Sequence, residues 1–230
     1  MQIVLLPGLD GTGLLFSRFV SALGPDFEPK VVRYPHNQSL NYEEHERIAR
    51  LSLPRDRPYI VLGESFSGPI AISLAASKPP GLVGLVLCCT FARNPRPTHA
   101  CFKSLLGLVP FNLIPKMFQS PFIFGRFSSP SLRAEHRAAV SQVSNDALRS
   151  RIKAIFEVDV SVKLRQITLP VLYLRASEDR MVPKAASEYI RRTAQNVRVI
   201  ELEGPHLLLQ VKPSPAAEIE AGFSQHLNGD

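Results

Sequence analysis

The chain of 230 residues and 25.5 kDa is 45% hydrophobic and 20% charged, a globular balance that excludes a mainly disordered protein and gives room for one sizeable domain. Twenty prolines and the lack of a short repeat exclude collagen-like and coiled-coil architectures. The net charge of +7 is uneven: 12 Lys/Arg against 4 Asp/Glu fall between Arg93 and Arg165, and the rest of the chain is close to neutral.

The first element expected is a strand over Gln2–Leu6, entering a turn at Pro7-Gly8. It has no basic leader and only a short apolar run, so it is not read as a signal peptide. No stretch reaches the ~20 apolar residues of a membrane span, and a cytoplasmic location is the expectation. Further strands are expected at Lys30–Tyr34, Tyr59–Leu62, Leu82–Cys89, Val171–Leu174 and Val197–Leu202. Helical patterns fall at Tyr42–Leu51, Pro69–Ser77, Ala185–Thr193 and Pro215–Leu227. Unbroken apolar runs such as Val83–Leu87 suit strands buried on both faces, and the alternation implies an open α/β sheet with right-handed crossovers.

The alternation stops over 92–169, which divides the chain into a core of 1–91 and 170–230 and a helical insertion, or cap, within one folded unit. Proline-cut apolar fragments at Leu105–Phe111 and Ile114–Phe118 precede amphipathic helices expected at Ser131–Val143 and Ala147–Phe156. Phe111, Phe118 and Phe122 lie there and serve either the insertion's own core or the wall of an acyl pocket. Arg133 and Arg137, like Arg149 and Lys153, are four residues apart and share a helix face. They suit an acidic partner, an anionic substrate or a solvated surface. No nucleic-acid motif accompanies them, and none is expected to bind. Cys88 and Cys89 read as small buried hydrophobes; without a CxxC spacing no metal is expected.

The chemistry concentrates after the third strand, in Gly63-Glu64-Ser65-Phe66-Ser67-Gly68. A serine on a tight strand-to-helix turn is held in a strained conformation that lifts its hydroxyl clear of the sheet, with small residues two before and two after it. Here these are Gly63 and Ser67, the latter where glycine is usual. The Phe66 N–H at the helix start suits a developing oxyanion. A serine nucleophile needs a base and a group to hold it. Two candidates follow later strands: the loop with Glu178 and Asp179, and Gly204-Pro205-His206. Ser65, Asp179 and His206 each follow a strand's C-terminal end, the edge where sites form in open α/β sheets. The other histidines, His36, His45, His99, His136 and His226, read as surface or capping residues.

These motifs resemble the α/β-hydrolase superfamily over essentially the whole chain. Asp179-Arg180-Met181-Val182-Pro183 matches that family's acid loop and favours Asp179 over Glu178; Gly204-Pro205-His206 matches its histidine loop. Leu6-Pro7-Gly8-Leu9-Asp10-Gly11-Thr12-Gly13 lies where the family has its oxyanion turn, with Pro7 in place of histidine, and with the elbow is similar to phytyl ester synthase-like acyltransferases and small bacterial esterases. The resemblance implies a reduced sheet of six mainly parallel strands, a Leu9 N–H as second oxyanion donor with Asp10 the fallback, and no cofactor. It implies a serine carboxylic ester hydrolase acting through an acyl-enzyme on a small or medium acyl ester. Alternatives are an acyl-acyl carrier protein methyl ester esterase that docks an acidic carrier on the basic cap, an acyltransferase on the same triad, and a non-catalytic binding module.

Overall fold

The computed structural model describes residues 1–97 and 121–228. Strands β1 (Gln2–Leu6), β2 (Glu28–Val31), β3 (Tyr59–Glu64), β4 (Leu82–Cys88), β5 (Val171–Ala176) and β6 (Val197–Leu202) form one sheet. The order is β2-β1-β3-β4-β5-β6 and every pair is parallel, so the reduced parallel sheet is as expected. The chain steps from β1 to β2 on one side, then resumes with β3 on the other. That makes the carboxyl ends of β1 and β3 the point where strand order reverses and a crevice opens.

Side-chain alternation sorts the core into two layers. Val4, Leu6, Val61, Leu85 and Tyr173 face helices α2 (Tyr42–Leu51), α3 (Gly68–Ala76), α7 (Ser161–Arg165) and α8 (Lys184–Thr193). Ile3, Leu5, Leu62, Val86 and Leu172 face α1 (Ser17–Ala22), α9 (Leu208–Val211) and α10 (Pro213–Asn228). Ile60, Val61 and Leu62 are wholly buried, which is why β3 reads as an unbroken apolar run. Each such side chain contributes about 1.5–3 kcal/mol on burial. Cys88 and Cys89 are free and buried, as expected.

Between β4 and β5 lie α4 (Pro121–Phe124), α5 (Pro130–Ser141) and α6 (Asn145–Glu157), followed by α7. The two longer helices start on Ser129 and Ser144, whose hydroxyls accept from Leu132 and Ala147 N–H groups. The fragments carrying Phe111 and Phe118 lie outside the described residues.

One strand differs from expectation. β2 covers Glu28–Val31, not Lys30–Tyr34. The β1 ladder pairs Gln2 with Glu28, and the Val32 N–H makes one further bond to the Leu5 carbonyl at 2.9 Å. The chain then leaves the sheet, because the Tyr34 N–H bonds the Gly11 carbonyl at 2.8 Å instead of a strand.

Candidate active site

Ser65 follows β3 with φ +49°, a left-handed conformation that a non-glycine residue adopts only when its surroundings force it. Those surroundings are visible. A Cβ on Gly63 would stand 2.7 Å from the Ala71 Cβ and 2.8 Å from the Ser67 carbonyl, so strand and helix meet only if this residue is glycine. The Thr90 hydroxyl donates to the Ser65 carbonyl and holds the turn from β4's end.

The structure brings Ser65, His206 and Asp179 together from three strand ends. Ser65 Oγ lies 2.8 Å from His206 Nε2, and His206 Nδ1 lies 2.8 and 3.0 Å from the two Asp179 oxygens. The Met181 and Val182 N–H groups both donate to Asp179 Oδ1 at 2.8 Å, which fixes the carboxylate beneath the imidazole. Glu178, the rival acid, turns outward to Arg126 at 2.7 Å. Burial opposes the charged form of His206, but the Asp179 carboxylate, its hydrogen bond and Glu64 outweigh it, leaving the imidazole pKa above its ordinary value.

The turn after β1 lies beside the elbow. Ser67, the departure from glycine, donates its hydroxyl to the Pro7 carbonyl and sits 3.0 Å from the Tyr34 hydroxyl. The serine where glycine is usual therefore ties the elbow to the turn in which proline replaces histidine. Glu64, 2% exposed, accepts from Gln210 Nε2 at 2.9 Å and has its charged form favoured by the nearby Gly8 N–H. It links the elbow to the β1 turn and to the helix after His206. Burial raises its pKa to about 7, with Gln210 offsetting part of that rise.

A cavity of about 510 Å³ opens over Ser65 and His206. Gly8, Leu9 and Asp10 line it on the β1 side; Val140, Leu148, Ile152, Ile155 and Phe156 line it from the segment between β4 and β5, with Phe91 after β4. The wall is chiefly aliphatic. Leu9 is at the cavity surface, whereas the Phe66 side chain is buried against Tyr42, stacked with centroids 4.8 Å apart. Phe122 lies in α4, and Phe111 and Phe118 fall outside the described residues. Arg133, Arg137 and Lys153 are exposed on α5 and α6; Arg149 is only partly so.

Two histidines differ from the surface reading. His45 is fully buried with Nδ1 2.7 Å from the Asn41 carbonyl, and burial lowers its pKa to about 4. His136 is buried in the cavity wall, edge-on to Phe124, and burial lowers its pKa as well. The larger omission is Arg151, fully buried under the β1 turn. The signal for both lay in helical spacing: His136 follows Leu132 by four on α5's apolar stripe, and Arg151 follows Ala147 by four on α6's.

A sequence model of the alpha/beta hydrolase family matches residues 3–220. The chain belongs to that family and is a hydrolase. It is 24% identical over 237 residues to "Putative carbamate hydrolase RutD" of Rhizobium rhizogenes, a match covering 92% of this chain and 87% of that protein. It is 28% identical over 142 residues to the "Biotin biosynthesis bifunctional protein BioHC" of Cellvibrio japonicus, covering 57% of this chain and 28% of that protein. In fold it is similar to an esterase from Exiguobacterium antarcticum, with a TM-score of 0.82 at 15% identity over 98% of this chain and 92% of that one. Among the described residues no helix is long and apolar enough to cross a membrane.

Proposed function

We propose that this hydrolase cleaves carboxylic esters with small or medium acyl chains through an acyl-enzyme. The observation that carries the reading is the Ser65–His206–Asp179 relay set at the floor of an apolar cavity of about 510 Å³. Ser65 Oγ attacks the ester carbonyl as its proton passes to His206 Nε2. The Leu9 and Phe66 N–H groups hold the oxyanion. His206 then gives that proton to the departing alcohol. Water adds to the acyl-enzyme with its proton taken by His206, and collapse releases the acid and restores Ser65. Asp179 orients the imidazole and stabilises its charged form. In this reading residues 92–169 form a cap over the cavity, and no metal or organic cofactor takes part.

The relay serves a carbamate equally well, since that bond is cleaved by the same acyl chemistry, and the relative similar over 92% of the chain carries that name. The cavity favours the ester, because a small polar carbamate would leave its aliphatic walls unfilled. A series of p-nitrophenyl acyl esters and a matched carbamate tests this, with Ser65→Ala as control. Turnover should rise with acyl length until the cavity is full and vanish in the variant. Preference for the carbamate, or turnover surviving in Ser65→Ala, overturns the reading. An acidic acyl carrier would meet the exposed Arg133, Arg137 and Lys153, with Arg149 beside them. Neutralising these four should slow a carrier-borne ester and leave a small neutral ester unchanged.

A further inference from the structure

Arg151 stands out as a wholly buried guanidinium whose partners are main-chain carbonyls, not a carboxylate. Its Nη1 donates to the Leu9 carbonyl at 2.9 Å and the Asp10 carbonyl at 2.7 Å; Nη2 donates to the Pro35 carbonyl at 2.9 Å. Nε has no partner. Placing a charge there is expensive for folding, since burial opposes the charged form and the nearby Asp10 carboxylate, which makes no direct ion pair with it, offsets this only in part. The exposed Lys153 on the same helix shows that α6 had cheaper places for a cation. The position it occupies therefore calls for a reason in the site.

The reason lies in the peptide planes of the β1 turn. Five successive carbonyls are each held: Pro7 by the Ser67 hydroxyl, Gly8 by the Gly11 N–H at 3.0 Å, Leu9 and Asp10 by Arg151, and Gly11 by the Tyr34 N–H at 2.8 Å. The peptide bonds of this turn are trans, so each held carbonyl fixes the direction of the next residue's N–H. The bond to Gly8 sets the Leu9 N–H, and the bond from Arg151 to Leu9 sets the Asp10 N–H. Gly11 completes the fit. It has φ +68°, and a Cβ there would stand 2.6 Å from Arg151 Nη1, so the turn is shaped around the guanidinium.

We infer that Arg151, supplied by the segment between β4 and β5, is a positioning residue for the oxyanion donors, making that segment part of the catalytic machinery and not merely a cover. The inference rests on the esterase reading above. Arg151 touches no reacting atom. It fixes the peptide that leads from the donor Leu9 to the fallback donor Asp10 and adds a positive charge behind the turn, an arrangement that favours the anionic intermediate over the neutral ester.

The test compares Arg151→Lys and Arg151→Met with the parent as full chains, each normalised by the endpoint of organophosphate labelling at Ser65. Per labelled site, kcat/KM for p-nitrophenyl butyrate should fall about 10- to 100-fold in Arg151→Met through kcat, with KM little changed, and Arg151→Lys should recover part. Inhibition by an alkyl boronate, whose adduct bears an anionic tetrahedral oxygen, should weaken in proportion. Inhibition by the carboxamide of the same chain should stay within about twofold. A purely structural arginine predicts the opposite pattern, with fewer labelled sites of unchanged kcat or both inhibitors weakened alike, and either result overturns the inference. Should the methionine variant not fold, Arg151→Lys alone must show a boronate-selective loss. A parent that neither turns over ester nor labels at Ser65 overturns the esterase reading and this inference with it. A competent parent with unaffected variants overturns the inference alone.

Discussion

Ser67→Ala is the sharpest probe of how the elbow is joined to the β1 turn. Ser67 is fully buried and Tyr34 is 4% exposed, so no water replaces the lost hydroxyl. The substitution keeps the Cβ and the backbone, and removes the donor to the Pro7 carbonyl and the partner of the Tyr34 hydroxyl. A buried polar group left without a partner costs about 1–3 kcal/mol, and two are orphaned here, so the expected loss is about 2–6 kcal/mol. For a domain of this size that is a fall of roughly 4–24 °C in Tm. Urea unfolding of the parent, Ser67→Ala, Tyr34→Phe and the double variant measures it. Tyr34→Phe alone should cost about 1 kcal/mol, because Ser67 keeps its bond to Pro7. The double variant leaves only the carbonyl orphaned and should be more stable than the sum of the singles by about 1 kcal/mol or more. Strict additivity, or a Ser67→Ala loss below about 0.5 kcal/mol, refutes the coupling of the two motif departures.

Asp179→Asn should cut kcat by orders of magnitude by selecting the wrong imidazole tautomer, whereas Glu178→Gln, which breaks only an exposed ion pair with Arg126, should change it less than threefold. The reverse ranking would show that the acid is misassigned. A profile of kcat/KM against pH should fall on the acid side as His206 takes up a proton and ceases to act as base. Because its pKa is raised, that limb should lie above the ordinary histidine range; a flat profile from pH 5 to 8 would remove His206 from the role. Glu220 is wholly buried with neither oxygen partnered, and burial lifts its pKa to about 8 from 4.5. The folded chain thus holds a proton that the unfolded chain releases, so stability should decline between about pH 4.5 and pH 8, by on the order of 3–5 kcal/mol from this group. Glu220→Gln should flatten that decline in urea titrations, and an unchanged slope would place its source elsewhere.

What the sequence disclosed was whatever a local pattern specifies. Tyr42–Leu51 was legible to the residue because Asn41 and Glu44 cap each other's backbone in a reciprocal box. The inner strands β1, β3, β4 and β5 were legible because burial on both faces demands apolar runs, β6 because Val197, Val199 and Ile200 mark a short β-branched run, and the candidate site because its three loops each follow a strand. β2 was misplaced by two or more residues, since Val32 and Tyr34 are buried like strand residues, yet Val32 makes only a last bond to β1 and Tyr34 bonds the turn. The short helices at Ser161–Arg165 and Leu208–Val211 were missed because segments of four or five residues carry no period. His136 and Arg151 were missed because a polar residue type was weighed above its place on an apolar stripe.

The basic block between Arg93 and Arg165 gains a different meaning from its contacts. Arg93 lies over the Tyr189 ring, and Arg96 donates to the Arg180 and Met181 carbonyls flanking the acid loop. Arg126 pairs with Glu178 and Glu203, beside the acid and histidine loops respectively. Lys163 reaches Ser73 and Glu46, and Arg151 holds the β1 turn. Among the ten described cations of the segment, at least five, Arg151 among them, thus contact residues outside the segment, and three of these meet a loop that carries the candidate site. Long, many-donor side chains suit such a seam, because they bridge from the segment between β4 and β5 to carbonyls that a strand-to-loop transition leaves without ladder partners. The charge excess in that segment is then partly the chemistry of attachment. Among the described residues, the cations facing away from this seam, such as Arg133, Arg137 and Lys153, are the ones available to an anionic partner, and that smaller set is what the salt dependence of any carrier reaction has to be weighed against.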